Sequence, residues 1–240
     1  MIQDTGSASM MSDQQLIGLD QAHLLKIEDN SELLGQKFQC HHEVLIPLAK
    51  LIRQSEKDGI PLRVVSSYRS FEQQLAIWNR KYYQDILLNL RDGSQVSSQE
   101  LAGKERVDAI LHYSAIPGTS RHHWGTDFDL FDAGAIDQGY QVKLTEQEFS
   151  EQGPCANLHQ WLEEMMQDYG FFKPYANDLG GVACEPWHLS YQPIAQPALK
   201  EFPQQLLRAT LEESDLGGKE FVLPRLESLL QKYVYRINQD

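Results

Sequence analysis

A chain of 240 residues, 41% hydrophobic and 23% charged, suits one substantial domain able to bury a real core. Its 34 acidic residues against 21 basic ones give a formal charge of −13. That balance argues against nucleic acid or an anionic membrane as the main partner, since either needs a basic face.

The first residues lack the basic and apolar regions of a secretory signal, and the aliphatic run at 44–49 is far too short to span a bilayer. Three cysteines, Cys40, Cys155 and Cys184, are odd in number and lack C-x-x-C spacing. A reducing compartment is therefore expected and a disulfide framework is not, so the chain reads as soluble and cytoplasmic with no membrane partner. Residues 1–15 are polar, small and aperiodic, as in a flexible tail. Residues 16–34 mix short apolar groups with Asp, Asn and Ser, which predicts short helices and turns.

From Phe38 the pattern sharpens. Val44, Leu45, Leu48, Leu51 and Ile52 follow helical spacing up to Gly59 and Pro61, with Pro47 confined to the first turn or a kink. Residues 62–66, β-branched and directly after that stop, read as a strand delivering Ser67-Tyr68-Arg69. A helix is expected from Ser70, burying Leu75, Ile77 and Trp78. Asp92-Gly93 marks a turn, and residues 97–113 read as helical, with Leu101, Val107, Ile110 and Leu111 on the apolar side. Pro117-Gly118 resets the chain. Residues 126–131 then alternate as a strand does, placing Asp127 and Asp129 on one face.

Residues 132–157 are rich in Gly, Asp and Gln, as in a surface excursion. Leu158, Trp161, Leu162, Met165, Met166 and Tyr169 recur at helical spacing up to Gly170, and the two methionines suit a core better than a sulfur ligand. Residues 180–184 read as a turn entering a strand. Residues 199–211 and 221–235 predict two amphipathic helices with no chemistry to assign. Strands interleaved with helices, but in no regular βαβ series, indicate an α+β fold. The division expected is a tail at 1–15, a main domain at 16–192 and a helical C-terminal extension at 193–240 packed on the same domain.

The chemistry concentrates in three patches. Ser120-Arg121-His122-His123-Trp124-Gly125-Thr126-Asp127-Phe128-Asp129 places two imidazoles and two carboxylates within ten residues. Glu185-Pro186-Trp187-His188 and Ser66-Ser67-Tyr68-Arg69-Ser70 are the others. Two nitrogens and one carboxylate oxygen suffice to hold a catalytic zinc with a position open for water. Adjacent side chains diverge, so His122 and His123 compete for one ligand position, while Asp127 and Asp129 share a face and geometry permits either. Glu185 and His188 would point to opposite faces of an unbroken strand. Pro186, which removes a ladder donor, makes a bulge or strand exit there the expected remedy. Arg69, at a strand exit among small hydroxyl residues, has room for a forked contact to a carboxylate or a developing oxyanion. Cys184 lies in an apolar run with no neighbour to activate it, as an inert thiol would.

Ser120-x-His122-x-x-Gly125-x-Asp127-x-Asp129 resembles the S-x-H-x-x-G-x-A-x-D motif of the zinc D-alanyl-D-alanine carboxypeptidase and dipeptidase family, the VanY/VanX-like peptidases. Glu185-x-Trp187-His188 is similar to that family's E-x-W-H, and Ser67-Tyr68-Arg69-Ser70 resembles its S-x-Y-R-S. The matches run from about residue 60 to 191, in the family's order. Asp127 departs from the pattern, standing where a small residue is usual. So does Ser190-Tyr191, where many members carry an Arg.

The resemblance implies a small antiparallel sheet flanked by helices, and one Zn2+ per chain on His122, Asp129 and His188. Glu185 would then be the proton carrier and Arg69 the stabiliser of the tetrahedral intermediate. Ser120 and Gln74 would contact the substrate. It leaves His123 behind the ligands or facing substrate, and Asp127 free to orient a ligand imidazole. The implied reaction is hydrolysis next to a D-amino acid in peptidoglycan-derived peptides, as a D-alanyl-D-alanine carboxypeptidase. A zinc-containing binding module and an endopeptidase of the stem peptide are the alternatives.

Overall fold

The computed structural model describes residues 11–27, 37–135 and 141–239. Helix α1 (Asp13–Leu16) opens on a capping box in which Ser12 and Gln15 satisfy each other's backbone, and it delivers Leu16 and Ile17 to the core. Residues 12–15, within the expected tail, are therefore structured. Residues 1–10 of the expected tail lie outside the described residues.

Where short helices and turns are expected, strand β1 (Leu24–Ile27) instead pairs antiparallel with β2 (Phe38–His41). Four residues are too few to show a period, and only the partner strand makes them a strand. Residues 28–34 of that expectation lie outside the described residues.

Helix α2 (Leu45–Lys57) holds Pro47 in its first turn, where no intrahelical donor is lost. Strand β3 (Leu62–Ser66) follows as expected. Helix α3 (Phe71–Tyr83) starts from a second capping box, Ser70 with Gln73. Trp78 is fully buried, whereas Leu75 and Ile77 are only half-buried.

The Asp92-Gly93 turn joins two short strands absent from the sequence reading, β4 (Leu87–Asn89) and β5 (Gln95–Ser97). The helix expected over 97–113 is shorter. A single 3-10 turn at Ser98–Glu100 breaks at Leu101, and α4 (Gly103–Ile110) follows. After a 3-10 turn at Arg121–Trp124 comes β6 (Asp127–Asp132). Then α5 (Ala156–Met165) runs on as a 3-10 turn to the left-handed Gly170.

Strands β7 (Phe171–Phe172) and β8 (His188–Tyr191) complete a four-stranded antiparallel sheet of order β3-β6-β8-β7. The strand expected at 182–184 does not form. Its amides go to loop carbonyls, Ala183 to His112 and Glu185 to Tyr175, so no ladder is available.

The two C-terminal helices expected are in fact four, α6 (Gln192–Lys200), α7 (Gln204–Glu213), α8 (Lys219–Val222) and α9 (Leu226–Tyr233). Pro203 cannot continue α6, and the left-handed Gly218 separates α7 from α8.

The sheet sorts its faces with period two. Phe128, Leu130, Leu189 and Leu62 join α2 and α5 in one cluster of buried hydrophobics. A second cluster gathers α1, α3, α4 and α6 to α9 around Trp78 and Trp124. The polar face of β6 and β8 carries Asp127 opposite Ser190 and Asp129 opposite His188, and those pairs build the site. The fold is α+β.

Candidate metal centre and active-site cavity

Register brings the first two donors together. Asp129 and His188 are directly paired across β6 and β8, and Nδ1 of His188 lies 3.2 Å from Oδ1 of Asp129. The third comes from the 3-10 turn before β6, where Nε2 of His122 lies 3.4 Å from the other oxygen of Asp129. All three side chains are buried, and their ligand atoms lie within 4.8 Å of one another.

Gly125 makes this turn possible. It sits at φ 66, and a Cβ there would stand 2.5 Å from Leu24 Cδ2 and 2.7 Å from the His41 amide nitrogen. That amide donates to the Gly125 carbonyl at 2.8 Å, so the β1–β2 hairpin clamps the turn.

The remaining ring nitrogens fix both tautomers. Nδ1 of His122 meets the Ser67 carbonyl at 2.8 Å, and Nε2 of His188 meets Oδ1 of Asp127 at 2.9 Å. Each partner can only accept, so each of those nitrogens carries the proton. The inward nitrogens are then lone pairs aimed at a carboxylate. Three acceptors facing one point repel one another unless a cation stands between them, and two imidazoles with a carboxylate are a fitting donor set for zinc.

The electrostatics carry the same strain. Burial works to raise the Asp129 carboxyl, but His122 and His188 outweigh it and hold it below the usual carboxylate range. Burial likewise works against a charge on His188, yet hydrogen bonds to Asp127 and Asp129 raise it to about 10. Burial lowers His122 despite its proximity to Asp129.

Asp127 is the hub behind the donors. Besides His188 it accepts from Nε of Arg121 at 2.8 Å and from the Thr126 hydroxyl at 2.6 Å. Arg121 also donates to Ser190 Oγ at 2.6 Å and stacks on Trp124 and Phe172. Asp127 therefore orients a candidate ligand and pairs Arg121 at once, which its sequence position left as alternatives. His123 is fully buried: its Nε2 accepts from the Gly118 amide at 3.0 Å and its Nδ1 meets the Arg69 carbonyl at 2.6 Å. Burial depresses it to about 3, so it is a neutral fastener between loops, and it does not line the cavity.

The turn Glu185-Pro186-Trp187-His188, closed by the His188 amide on the Glu185 carbonyl at 3.0 Å, solves the facing problem posed by an unbroken strand. It brings Oε2 of Glu185 to 3.4 Å from Nδ1 of His188. Burial raises the Glu185 carboxyl to about 7, opposed by His188.

Glu185, Arg69, Ser120, His122, Asp129 and His188 all line one cavity of about 410 Å³. Arg69 bonds Gln74 Oε1 at 2.7 Å and Ser66 Oγ at 3.2 Å. Gln74 stands one layer back, buried and donating to the Ala115 carbonyl, so it braces Arg69 and does not line the cavity. Ser120 lines the cavity, and its side chain makes no capping bond to the turn that follows it.

The sequence reading missed other parts of the wall: Lys81, Ser114, Tyr175, Tyr233 of α9 and residues 143–146 of the supposed surface excursion. Residues 136–140 of that excursion lie outside the described residues. None of these carries a local motif. Only the packing of α3, α4 and α9 around the sheet brings them to the site.

Two buried imidazoles and a buried carboxylate converge at a cavity with a second carboxylate beside them, a donor set that could hold a metal ion. Residues 37–194 match the family model VanY, D-alanyl-D-alanine carboxypeptidase, and the chain belongs to that peptidase family.

An uncharacterized protein of Haemophilus influenzae is 31% identical over 121 residues, half of this chain and 92% of that protein. A D-alanyl-D-alanine carboxypeptidase of Enterococcus faecalis is 28% identical over 162 residues, 66% of this chain but only 50% of that protein. Among solved structures, the LdcB LD-carboxypeptidase superposes with a TM-score of 0.50 at 20% identity, over 88% of this chain and 78% of that one, a likeness of fold.

Proposed function

We propose that the protein hydrolyses the peptide bond before a C-terminal D-alanine in peptidoglycan-derived peptides, with one zinc ion on His122, Asp129 and His188. The observation that carries this reading is the convergence of His122 Nε2, His188 Nδ1 and the Asp129 carboxylate, both outer nitrogens being tied down, with Glu185 alongside. Bound zinc supplies Lewis acidity and an activated water at neutral pH.

Glu185, its carboxyl raised to about 7, is suited to exchange protons near neutrality. It takes the proton of the water that attacks the scissile carbonyl carbon and returns it to the leaving amine as the C–N bond breaks. Arg69, braced by Gln74 and Ser66, stabilises the charge growing on the carbonyl oxygen. Ser120 offers a hydroxyl to the peptide. Three free thiols support action in a reducing compartment, on precursor or recycled peptides.

The test is release of D-alanine from stem peptides: a pentapeptide ending in D-Ala-D-Ala and a tetrapeptide with one D-Ala. Hydrolysis of either should stop with chelator and return with zinc. Wild type should hold one zinc per chain and His188→Ala little. Glu185→Gln should keep the zinc and lose roughly a hundred- to ten-thousandfold in turnover. A wild-type protein that binds these peptides without cleaving them would show a binding module, and cleavage only inside the stem would show an endopeptidase.

A further inference from the structure

Lys81 points into the same cavity from the last turn of α3. In a chain of net charge −13, two cationic side chains, Arg69 and Lys81, share this wall without a carboxylate in ion-pair range of either among the described residues. Arg69 is held by a side-chain amide and a hydroxyl, and Lys81 donates to Ser114 Oγ at 2.6 Å. Withdrawing a cation from water without an anion is costly, and a like charge nearby adds to the cost. For Lys81, burial, Arg80 and Arg69 all act against the ammonium, only Glu185 supports it, and the group falls to about 8.

Ser114 completes the arrangement. It is buried, and its oxygen is taken up as acceptor by Lys81, so its hydroxyl hydrogen remains free for a ligand. Lys81 Nζ keeps two further donors. The Lys81 ammonium and the Ser114 hydroxyl together present donors and one positive charge on the cavity wall.

We infer that Lys81 and Ser114 form a carboxylate subsite that holds a free carboxylate of the peptide substrate beside the reacting centre. This rests on the proposed peptidase reading and adds a specificity-determining pair to it. Two carboxylates of a stem peptide have the required chemistry, the C-terminal one and a side-chain one.

The experiment separates them and reads binding, not turnover. Zinc-loaded Glu185→Gln protein is titrated calorimetrically with the pentapeptide, with its C-terminal amide and with its side-chain amide. The same titrations are run on the double variant carrying Lys81→Met. The pentapeptide should bind the double variant at least tenfold more weakly. The amide lacking the recognised carboxylate should bind both proteins alike, and Lys81→Arg should recover part of the loss. Ser114→Ala should weaken binding by a smaller factor.

Equal binding by the Lys81→Met protein overturns the inference, as does the same loss for all three peptides, which would mean damage to the fold. Absence of peptide binding by Glu185→Gln overturns it too. Failure of wild type to cleave any peptide sinks the peptidase reading alone, because the binding difference is measured without chemistry.

Discussion

Arg121 and Asp127 show how much of the site is support. Arg121 is 3% exposed and Asp127 fully buried, and their bond at 2.8 Å is what allows Asp127 to remain an anion beneath His188. Burial works against the Asp127 carboxylate, and Arg121 is the largest of the effects that overcome it. Removing one partner of such a pair leaves a buried charge short of compensation, at a cost of about 3–5 kcal/mol. Arg121→Met should therefore destabilise the protein by that order in denaturant unfolding and weaken zinc binding as His188 loses its anchor. A loss under about 1 kcal/mol would mean that Asp127 does not depend on Arg121. At this scale the sequence was a good guide to residue types. Through the family resemblance it pointed to the three converging donors and Glu185, but it could not separate the two roles open to Asp127, because His188, the imidazole it holds, lies 61 residues away.

Among the elements, the turn at Arg121–Trp124 matters most, because it carries His122 and delivers the chain into β6 three residues after Trp124. Gly125 closes it in a left-handed conformation against the backbone of β2. Gly125→Ala should cost about 1–3 kcal/mol through backbone strain alone, with the contact at His41 adding to it. Thermal unfolding and zinc titration should both register the change. An unchanged melting temperature would count against the clamp. The helices from Val44 and Ser70 and the strand at 62–66 were legible because stop signals, caps and periodicity agree there. Strands β1, β4, β5 and β7, two to four residues each, were not, since so short a segment becomes a strand only when a partner supplies the ladder.

Across the whole molecule, the cavity draws its wall from segments as far apart as Arg69, the end of α3, the loop after α4 and Tyr233 of α9. Trp78 donates to the Gly217 carbonyl at 2.9 Å, so α3 and the C-terminal segment hold each other in place. Among the described residues, no helix is long and apolar enough to cross a membrane. Cys40 and Cys155 are buried and Cys184 half-buried, and burial pushes Cys40 up to about 12 and Cys184 to about 11. Such thiols resist oxidation in the native protein. Titration of the denatured, unreduced protein should count three thiols; one thiol would mean a disulfide and an oxidising compartment.

By itself the sequence narrowed the candidate donors to His122 or His123, Asp127 or Asp129, and His188, with Glu185 beside them, because motif spacing and hydrophobic period are local properties; the choice among them came from the family resemblance. Only the tertiary structure decided which groups face them: the Ser67 carbonyl and Asp127 behind the imidazoles, Gln74 behind Arg69, and Lys81 with Ser114 in the wall. Those contacts join segments up to 61 residues apart. No local pattern encodes them, since they exist only once the sheet has its register and the helices have packed upon it.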